Sequence, residues 1–197
     1  MKEKTVSTSK MNVVINANCV VKTFKISFGY KKRYLTEKRA LNLLSTLEGI
    51  PKILSFSNET PSLTITRLNG INTSYFSDKA LLNLKSKMYA IIKLGVARHS
   101  LPIRDVLVDN NDIVGIVDFE RATIKEDSWN ITWHIASLVA KFHVCKFIFK
   151  QNPHLLTITE LIFVKRGLFF RRIFNKYKKL RNLIRNFYRN LFKLKAD

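Results

Sequence analysis

The chain has 197 residues, of which 46% are hydrophobic and 25% are charged. This balance excludes wholesale disorder, and the length is enough for a domain with a real core. Lysine and arginine number 35 against 14 acidic residues, a formal net charge of +21 that favours phosphate-rich partners (nucleotide, nucleic acid, anionic lipid or lipopolysaccharide) without choosing among them.

The sequence shows no sign of export or of a membrane span. Met1 to Thr5 leads into polar residues rather than into an apolar core. The most hydrophobic stretch, residues 129–149, is interrupted by histidines and lysines. Cys19 and Cys145 lack the spacing of a metal site and are typical of reduced, buried thiols. We therefore expect a cytoplasmic protein, and peripheral attachment to the inner face of the membrane stays open.

The first third of the chain is rich in strand-forming residues. Residues 12–26 predict a hairpin, because two groups of β-branched residues flank an Asn-Ala-Asn turn. The apolar spacing of residues 32–47 predicts a helix that ends at the following Gly-Ile-Pro. Residues 51–56 and 62–67 predict two further strands around a polar turn.

This pattern breaks at residues 68–70, where we place a boundary between two lobes. Residues 1–70 would form an N-lobe of strands and one helix, and residues 71–197 a C-lobe that begins with a helix at 78–94. Three more helices are predicted at residues 129–149, at 157–168 and at the C-terminus. The order of elements predicts an α+β fold with two lobes rather than a doubly wound parallel sheet.

A short loop and a second hairpin carry the most informative residues. The apolar runs at residues 106–108 and 113–117 are separated by the polar turn 109–112. Asp105 precedes the first run and Asp118 follows the second, so the hairpin would hold two carboxylates at neighbouring strand ends. Carboxylate oxygens suit Mg²⁺, and the pattern therefore predicts a site for Mg²⁺ with ATP.

These residues resemble those of the protein-kinase-like superfamily. The segment at residues 95–101 matches the family's catalytic loop with Arg98 in place of a histidine and Ser100 in place of the catalytic aspartate. Asp105 takes the place of the metal-binding asparagine, and Asp118-Phe-Glu takes that of the DFG motif. Asp105 and Asp118 are therefore the implied metal ligands.

The same resemblance implies a strand lysine that holds phosphates and a helix glutamate that orients it. Lys22 is the implied lysine, with Lys25 as an alternative, and Glu37 is its partner. Residues 64–70 resemble the strand and hinge that meet adenine. The family's glycine-rich lid is missing, and residues 6–10 could supply backbone and hydroxyl donors in its place.

The resemblance is strongest to small bacterial kinases of lipopolysaccharide core sugars, such as Kdo and heptose kinases, and to RIO-like kinases. The lipopolysaccharide kinases favour an acidic residue after Asp-Phe followed by arginine, as in Asp118-Phe-Glu-Arg121. This implies an ATP-dependent transferase with a hydroxyl acceptor, a lipopolysaccharide core sugar being favoured. Arg98 and Arg104 could bind an acceptor phosphate or anchor neighbouring carboxylates.

Ser100 is the departure that bears most on catalysis, because a serine cannot accept the substrate proton at neutral pH as a carboxylate can. The implied catalytic residues are Ser100, Asp118 and His99, the last as a substitute base. Two alternatives stay open. One is an impaired pseudokinase or nucleotide-binding module, and the other is a basic nucleic-acid-binding protein.

The C-terminal segment, residues 168–195, repeats apolar residues at alternating spacings of three and four, with basic residues between them. This pattern predicts an amphipathic helix with a strongly cationic face. Packing on the protein's own core and binding to an anionic membrane surface are both open interpretations. Nucleic-acid binding is a third and less favoured one.

Overall fold

The computed structural model describes residues 4–126 and 131–193, without the side chains of residues 175–180 and 183–193. The start of the helix predicted at 129–149 and the last two residues of the basic segment lie outside these ranges. The chain divides into two compact units, Met1–Leu155 and Leu156–Asp197. The first unit combines an antiparallel sheet with helices, so the predicted α+β class is confirmed.

A five-stranded antiparallel sheet opens the first unit. Its strands are β1 (Lys4–Ser7), β2 (Met11–Ile15), β3 (Cys19–Phe24), β4 (Ile53–Ser57) and β5 (Ser62–Thr66), in the spatial order β1-β2-β3-β5-β4. The hairpin predicted at residues 12–26 is confirmed as β2 and β3. In β3, Lys22 and Phe24 share the buried face, since alternate residues of a strand point the same way.

Strand β1 was not predicted from the sequence. All four of its residues are exposed, so it has no apolar alternation that could be recognised. It forms because its backbone pairs with β2, with Thr5 opposite Val14 and Val6 opposite Val13. The strand is therefore a product of edge pairing rather than of local preference.

Helix α1 (Tyr30–Leu43) connects β3 to β4 and lies against the sheet. It begins after Gly29, whose φ of 73° is left-handed and suits a residue without a Cβ. Its buried residues include Tyr34, Ala40 and Leu41, and also Glu37, which is only 1% exposed. A carboxylate this deeply buried requires a partner.

Helix α2 (Asp78–Lys93) starts at Ser77, whose hydroxyl accepts a hydrogen bond from the amide of Ala80. Four short strands follow: β6 (Val96–Ala97), β7 (Val106–Val108), β8 (Val114–Ile116) and β9 (Thr123–Ile124). Strands β7 and β8 form the predicted second hairpin, with Val106 opposite Ile116. Strand β6 pairs with β9.

Helix α3 (Ile131–Gln151) packs on α2 and on β6. Ile92, Ala97, Trp133, Ala136 and Ala140 form one buried cluster between these elements. The cluster fixes the end of α2 and the start of the loop that carries Ser100.

The second unit is built on one long helix, α4 (Ile158–Lys193). The prediction of two separate helices was wrong, because the helix continues through Gly167. An internal glycine costs a helix about 1 kcal/mol, which its strong helix-forming neighbours can offset. Thr157 and Glu160 cap the start reciprocally, at 2.9 Å and 3.3 Å. No helix among the described residues is long and apolar enough to cross a membrane.

Candidate functional site

The structure brings Lys22 and Glu37 together. The Nζ atom of Lys22, on β3, lies 2.5 Å from Oε1 of Glu37, on α1, and both side chains are buried. Burial alone would lower the pKa of Lys22, but the attraction of Glu37 and, further away, of Asp118 and Glu120 outweighs it and raises that pKa. The ammonium group therefore stays charged and fixed in place.

An apolar pocket of about 310 Å³ lies between the sheet and the β7–β8 hairpin, and Lys22 is part of its lining. The sheet contributes Val13, Ile15, Val20 and Ile65, and the chain around the hairpin contributes Leu107 and Val117. An apolar pocket with few polar groups suits a flat organic ring.

The border of this apolar pocket has a special backbone geometry. Gly70 has a φ of 120°, and a Cβ at that position would lie 2.9 Å from the carbonyl oxygen of Val108. Ile71 and Val108 exchange two backbone hydrogen bonds of 2.9 Å. The peptide groups of Leu68 and Asn69 make no hydrogen bond with any residue that the structure describes. Leu68 belongs to the lining of the apolar pocket.

A second cavity, here the polar cleft, has a volume of about 170 Å³. Of the predicted site residues it brings together Ser100, Asp105 and Asp118. Its other lining residues are Lys10, Arg98, Pro102, Arg104, Glu120, Arg121 and Ala122. Val117 lines the apolar pocket and Asp118 lines the polar cleft, so the two cavities meet at consecutive residues.

Arg98 holds Asp105 in the polar cleft. One guanidinium nitrogen donates to Oδ2 of Asp105 at 2.6 Å, and Nε of the exposed Arg104 lies 3.6 Å from Oδ1. Burial raises the pKa of Asp105; Arg98 opposes this rise and the negative charge of Asp118 adds to it. Of the two predicted roles for these arginines, the structure supports the anchoring of a carboxylate.

The donor chemistry of the cleft fits a hard cation. Asp105 and Asp118 line one cavity, and the repulsion between them would be relieved by a positive ion. No group of three or more His, Cys, Asp or Glu side chains among the described residues could hold a metal by itself. Mg²⁺ commonly takes only one or two carboxylates and completes its shell with phosphates and water.

The comparisons with known proteins bear on the fold alone. No family model matches the chain, and no curated protein matches it. Its structure is similar to that of WbdD in a co-crystal with the kinase inhibitor LY294002, with a TM-score of 0.53 and 13% sequence identity over 81% of this chain. The likeness indicates a kinase-like fold. The match covers 43% of the WbdD chain, so this chain spans less than half of it.

The turn between β1 and β2 is closed on itself by hydrogen bonds. The hydroxyl oxygen of Thr8 accepts hydrogen bonds from the amides of Lys10 and Met11, both at 3.2 Å. These two amides are therefore engaged, although residues 6–10 were the predicted source of lid donors. The side chain of Lys10 instead lines the polar cleft.

His99 is not brought into the polar cleft. Its Nε2 atom lies 2.8 Å from the hydroxyl of Thr123, and the side chain is exposed. The neighbouring Arg98 points inward, where it meets Asp105. A role for His99 as a base therefore stays a prediction that this geometry does not support.

Glu120 is a buried residue of the cleft that sequence reasoning did not assign to the site. Its Oε2 atom lies 3.7 Å from Nε of Arg33 on α1, and its Oε1 atom lies 3.5 Å from Nε of Arg121. The place of Glu120 directly after Asp118-Phe119 was visible in the sequence. Its burial against a distant helix was not.

Proposed function

We propose that this chain binds ATP with Mg²⁺ and transfers a phosphoryl group to a hydroxyl acceptor. The observation that carries the proposal is the buried Lys22–Glu37 ion pair, which lies beside an apolar pocket that adjoins the polar cleft with Asp105 and Asp118. Each part has a separate task in phosphoryl transfer, and their adjacency in one kinase-like unit supports their use together.

The apolar pocket is the proposed site of the adenine ring. Its walls would cover the two faces of the ring, and the peptide group of Leu68, which belongs to the lining, would hydrogen-bond to its edge. Gly70 supports this arrangement, because its unusual φ lets the chain pass close to Val108. The two-lobed division at residue 70 belongs to the same proposal.

Lys22 would neutralise phosphate charge, and Glu37 would hold its ammonium group in position. Asp105 and Asp118 would hold the Mg²⁺ ion, Asp105 through the oxygen that Arg98 leaves free. When bound, the Mg²⁺ nucleotide supplies the phosphoryl group that is transferred. The protein's contribution is then mainly position and fixed charge, which dominate catalysis of this reaction.

Ser100 lines the cleft where the acceptor hydroxyl would lie. Its hydroxyl can hydrogen-bond to the acceptor and orient it, but it does not take the proton at neutral pH. We therefore propose slow transfer, in which the acceptor oxygen would bond to the γ-phosphorus of ATP as the bond to the bridging oxygen breaks, ADP would leave, and the proton of the acceptor would pass to water.

The proposed acceptor class is a lipopolysaccharide core sugar or a similar hydroxyl compound with anionic groups. The resemblance to core-sugar kinases supports it, and so do the cationic side chains of Lys10, Arg104 and Arg121 around the cleft. Residues 168–195 would add affinity for an anionic membrane surface, since basic residues dominate this segment.

Thermal stability with Mg²⁺ and ATP tests the proposal. Ligand at about 100 times its Kd adds about 2.7 kcal/mol to the free energy of unfolding. We expect the rise in the parent chain and its loss in Asp118→Asn. Lys25→Ala, which removes the alternative strand lysine, is the matched control and should retain the rise. An equal rise in the parent and in Asp118→Asn would contradict the assignment of Asp118.

A nucleotide-binding module without turnover is the second candidate, and Ser100 at the position of the base is the observation that favours it. Transfer of labelled phosphate from ATP to a core oligosaccharide should be measured in the parent and in Ser100→Asp. Slow transfer in the parent supports the enzyme. Transfer only in Ser100→Asp indicates a degraded enzyme, and transfer in neither variant, with the thermal stabilisation by Mg²⁺ and ATP retained, supports the module.

A further inference from the structure

The loop between β3 and α1 exposes two large apolar side chains at its tip. Ile26 is 87% exposed and Phe28 is fully exposed, and no other large apolar side chain that the structure describes reaches these values. Water contact with so much apolar surface is unfavourable. Such exposure at two positions of one short loop is typical of a surface that contacts a partner or a membrane.

The loop is held in this shape by hydrogen bonds. The guanidinium group of Arg33 donates to the carbonyl oxygen of Phe28 at 2.9 Å and to the hydroxyl oxygen of Ser27 at 2.7 Å. The amide of Tyr30 donates to the carbonyl oxygen of Ser27 at 3.0 Å. The apolar tip is therefore part of a braced turn, in which the carbonyl oxygens of Ser27 and Phe28 both accept hydrogen bonds.

The surroundings of the tip are cationic. Lys25 precedes it, and Lys31 and Lys32 follow it in the first turn of α1. The sequence has no acidic residue from Lys4 to Thr36. Apolar side chains at a tip with lysines around them suit a surface that is hydrocarbon inside and negatively charged outside.

The loop also borders the polar cleft. Arg33, which braces the loop, lies 3.7 Å from Glu120, and Glu120 lines the cleft. On the other side the amide of Lys25 donates to the carbonyl oxygen of Lys10 at 2.8 Å, and Lys10 also lines the cleft. The loop therefore contacts one lining residue of the polar cleft, Lys10, directly and a second, Glu120, through Arg33.

We propose that Ile26 and Phe28 insert into an anionic lipid bilayer and bring the polar cleft to its head groups. Resting on the proposed function, the consequence is that the acceptor hydroxyl belongs to a membrane-bound amphiphile rather than to a free sugar. The adjacent cationic residues fix the orientation, because they meet the negative surface while the two apolar side chains enter below it.

Sedimentation with lipid vesicles tests the insertion in the full chain without nucleotide. Vesicles of phosphatidylcholine with phosphatidylglycerol are compared with vesicles of phosphatidylcholine alone. The double variant Ile26→Ser/Phe28→Ser should bind the anionic vesicles about tenfold more weakly than the parent. The matched control is Leu54→Ser/Phe56→Ser, which removes exposed apolar side chains from the edge strand β4 and should bind as the parent does. Equal binding by the loop variant and the parent overturns the proposal.

A local probe separates the loop from the basic C-terminal segment, which could bind vesicles independently. In a Cys19→Ser background, Phe28→Cys carries an environment-sensitive dye, and Leu54→Cys is the control; Cys145 is buried and poorly accessible to the label. Anionic vesicles should shift the emission to the blue at position 28 only. An unchanged emission there overturns the proposal. A blue shift that depends on protein concentration without vesicles assigns the loop to a second copy of the chain instead.

Failure of this inference and failure of the proposed function are distinguishable. Ile26→Ser/Phe28→Ser should keep the full thermal stabilisation by ATP and Mg²⁺, because neither residue lines either cavity. Vesicle insertion without any response to nucleotide would leave the loop's role standing and remove the phosphotransferase. A response to nucleotide without vesicle insertion would leave the proposed nucleotide site standing and remove the role of the loop.

Discussion

Arg98 and Asp105 form a buried ion pair that joins the loop after β6 to the first residue before β7. The two charged atoms are 2.6 Å apart, and the guanidinium group also lies 5.3 Å from the centre of the Phe119 ring. Arg98 thus contacts the segments on both sides of the β7–β8 hairpin. One side chain fixes the positions from which Asp105 and Asp118 face the polar cleft.

Removing this arginine should destabilise the fold. In Arg98→Met the carboxylate of Asp105 stays buried without its main partner, and we expect a loss of about 2–3 kcal/mol in the free energy of unfolding. The matched control is Arg104→Met, because Arg104 is 84% exposed and its contact with the same carboxylate is 3.6 Å. That change should cost less than about 1 kcal/mol. If urea denaturation gives equal losses of unfolding free energy for the two variants, the buried contact of Arg98 contributes no more stability than the exposed contact of Arg104.

Breaking the Lys22–Glu37 pair should destabilise the fold more than breaking the Arg98–Asp105 pair. Lys22→Met leaves Glu37 buried and unpaired, which should lower the free energy of unfolding by about 3 kcal/mol or more. Lys22→Met/Glu37→Leu removes both charges and should recover most of this loss. Urea denaturation of the two variants is the measurement. A double variant as unstable as the single one would mean that packing, and not the unpaired carboxylate, causes the loss.

The stability of Lys22→Met should also depend on pH. Burial raises the pKa of Glu37 above its ordinary 4.5, and Lys22 opposes this rise, so removal of the lysine raises the pKa further. The folded state then binds a proton that the unfolded state has lost, and stability falls as the pH rises through that window. The free energy of unfolding of Lys22→Met should therefore lie closer to that of Lys22→Met/Glu37→Leu at about pH 5 than at about pH 8. A constant difference between the two variants would count against the buried carboxylate.

Gly70→Ala should destabilise the border of the apolar pocket by about 2 kcal/mol, through its positive φ and the close carbonyl oxygen of Val108. Gly29→Ala separates the two causes. Gly29 also has a positive φ, of 73°, but its nearest neighbour to an added Cβ is 3.9 Å away. We expect about 1 kcal/mol there. Thermal unfolding compares the two variants, and equal losses would exclude a contribution from the contact with Val108.

Ser77 links the start of α2 to the turn of the second hairpin. Its hydroxyl oxygen accepts from the amide of Ala80 at 3.1 Å, and the hydroxyl donates to Oδ1 of Asp112 at 2.6 Å. Ser77→Ala should cost about 1–2 kcal/mol. Ser77→Asn keeps an acceptor for the helix and a donor for Asp112, and should stay close to the parent in thermal unfolding. A loss in Ser77→Asn equal to that in Ser77→Ala would exclude capping as the cause.

The sequence predicted those elements whose patterns are local. The β2–β3 hairpin has strand formers on both sides of a short polar turn, and α2 has a serine cap followed by apolar residues at helical spacing. Strand β1 lacked any such pattern because it depends on a neighbour for its hydrogen bonds. Helix α4 continues through Gly167 because of the helix-forming residues along its whole length. The glycine considered alone predicts a break.

Part of the candidate site was predictable for a different reason. The spacing from Ser100 to Asp105 and on to Asp118 resembles that of a known superfamily, and such a spacing can be read without knowledge of packing. The directions of Arg98 and His99 could not be read in this way. Successive residues in an extended segment point to opposite sides, and only the packed structure decides which side is inside.

The contact of Arg33 with Glu120 was beyond sequence reasoning altogether. The two residues lie on different elements, and neither belongs to a pattern that requires the other. Long-range ion pairs of this kind depend on how α1 lies against the chain after β8. Tertiary packing determines that arrangement, and the sequence pattern that predicts α1 carries no information about it.

Val117 and Asp118 are consecutive residues that line different cavities, and this placement offers a route by which binding in one cavity would affect binding in the other. A single peptide bond joins a wall residue of the apolar pocket to a carboxylate of the polar cleft, and Asp118 has a left-handed φ of 69°. A ligand that displaced Val117 would act on Asp118 through the peptide bond that joins them. If such coupling exists, reciprocity requires that a cation in the cleft would change the affinity of the pocket by the same factor. Compounds that fill only the apolar pocket can thus report on the charge state of the cleft.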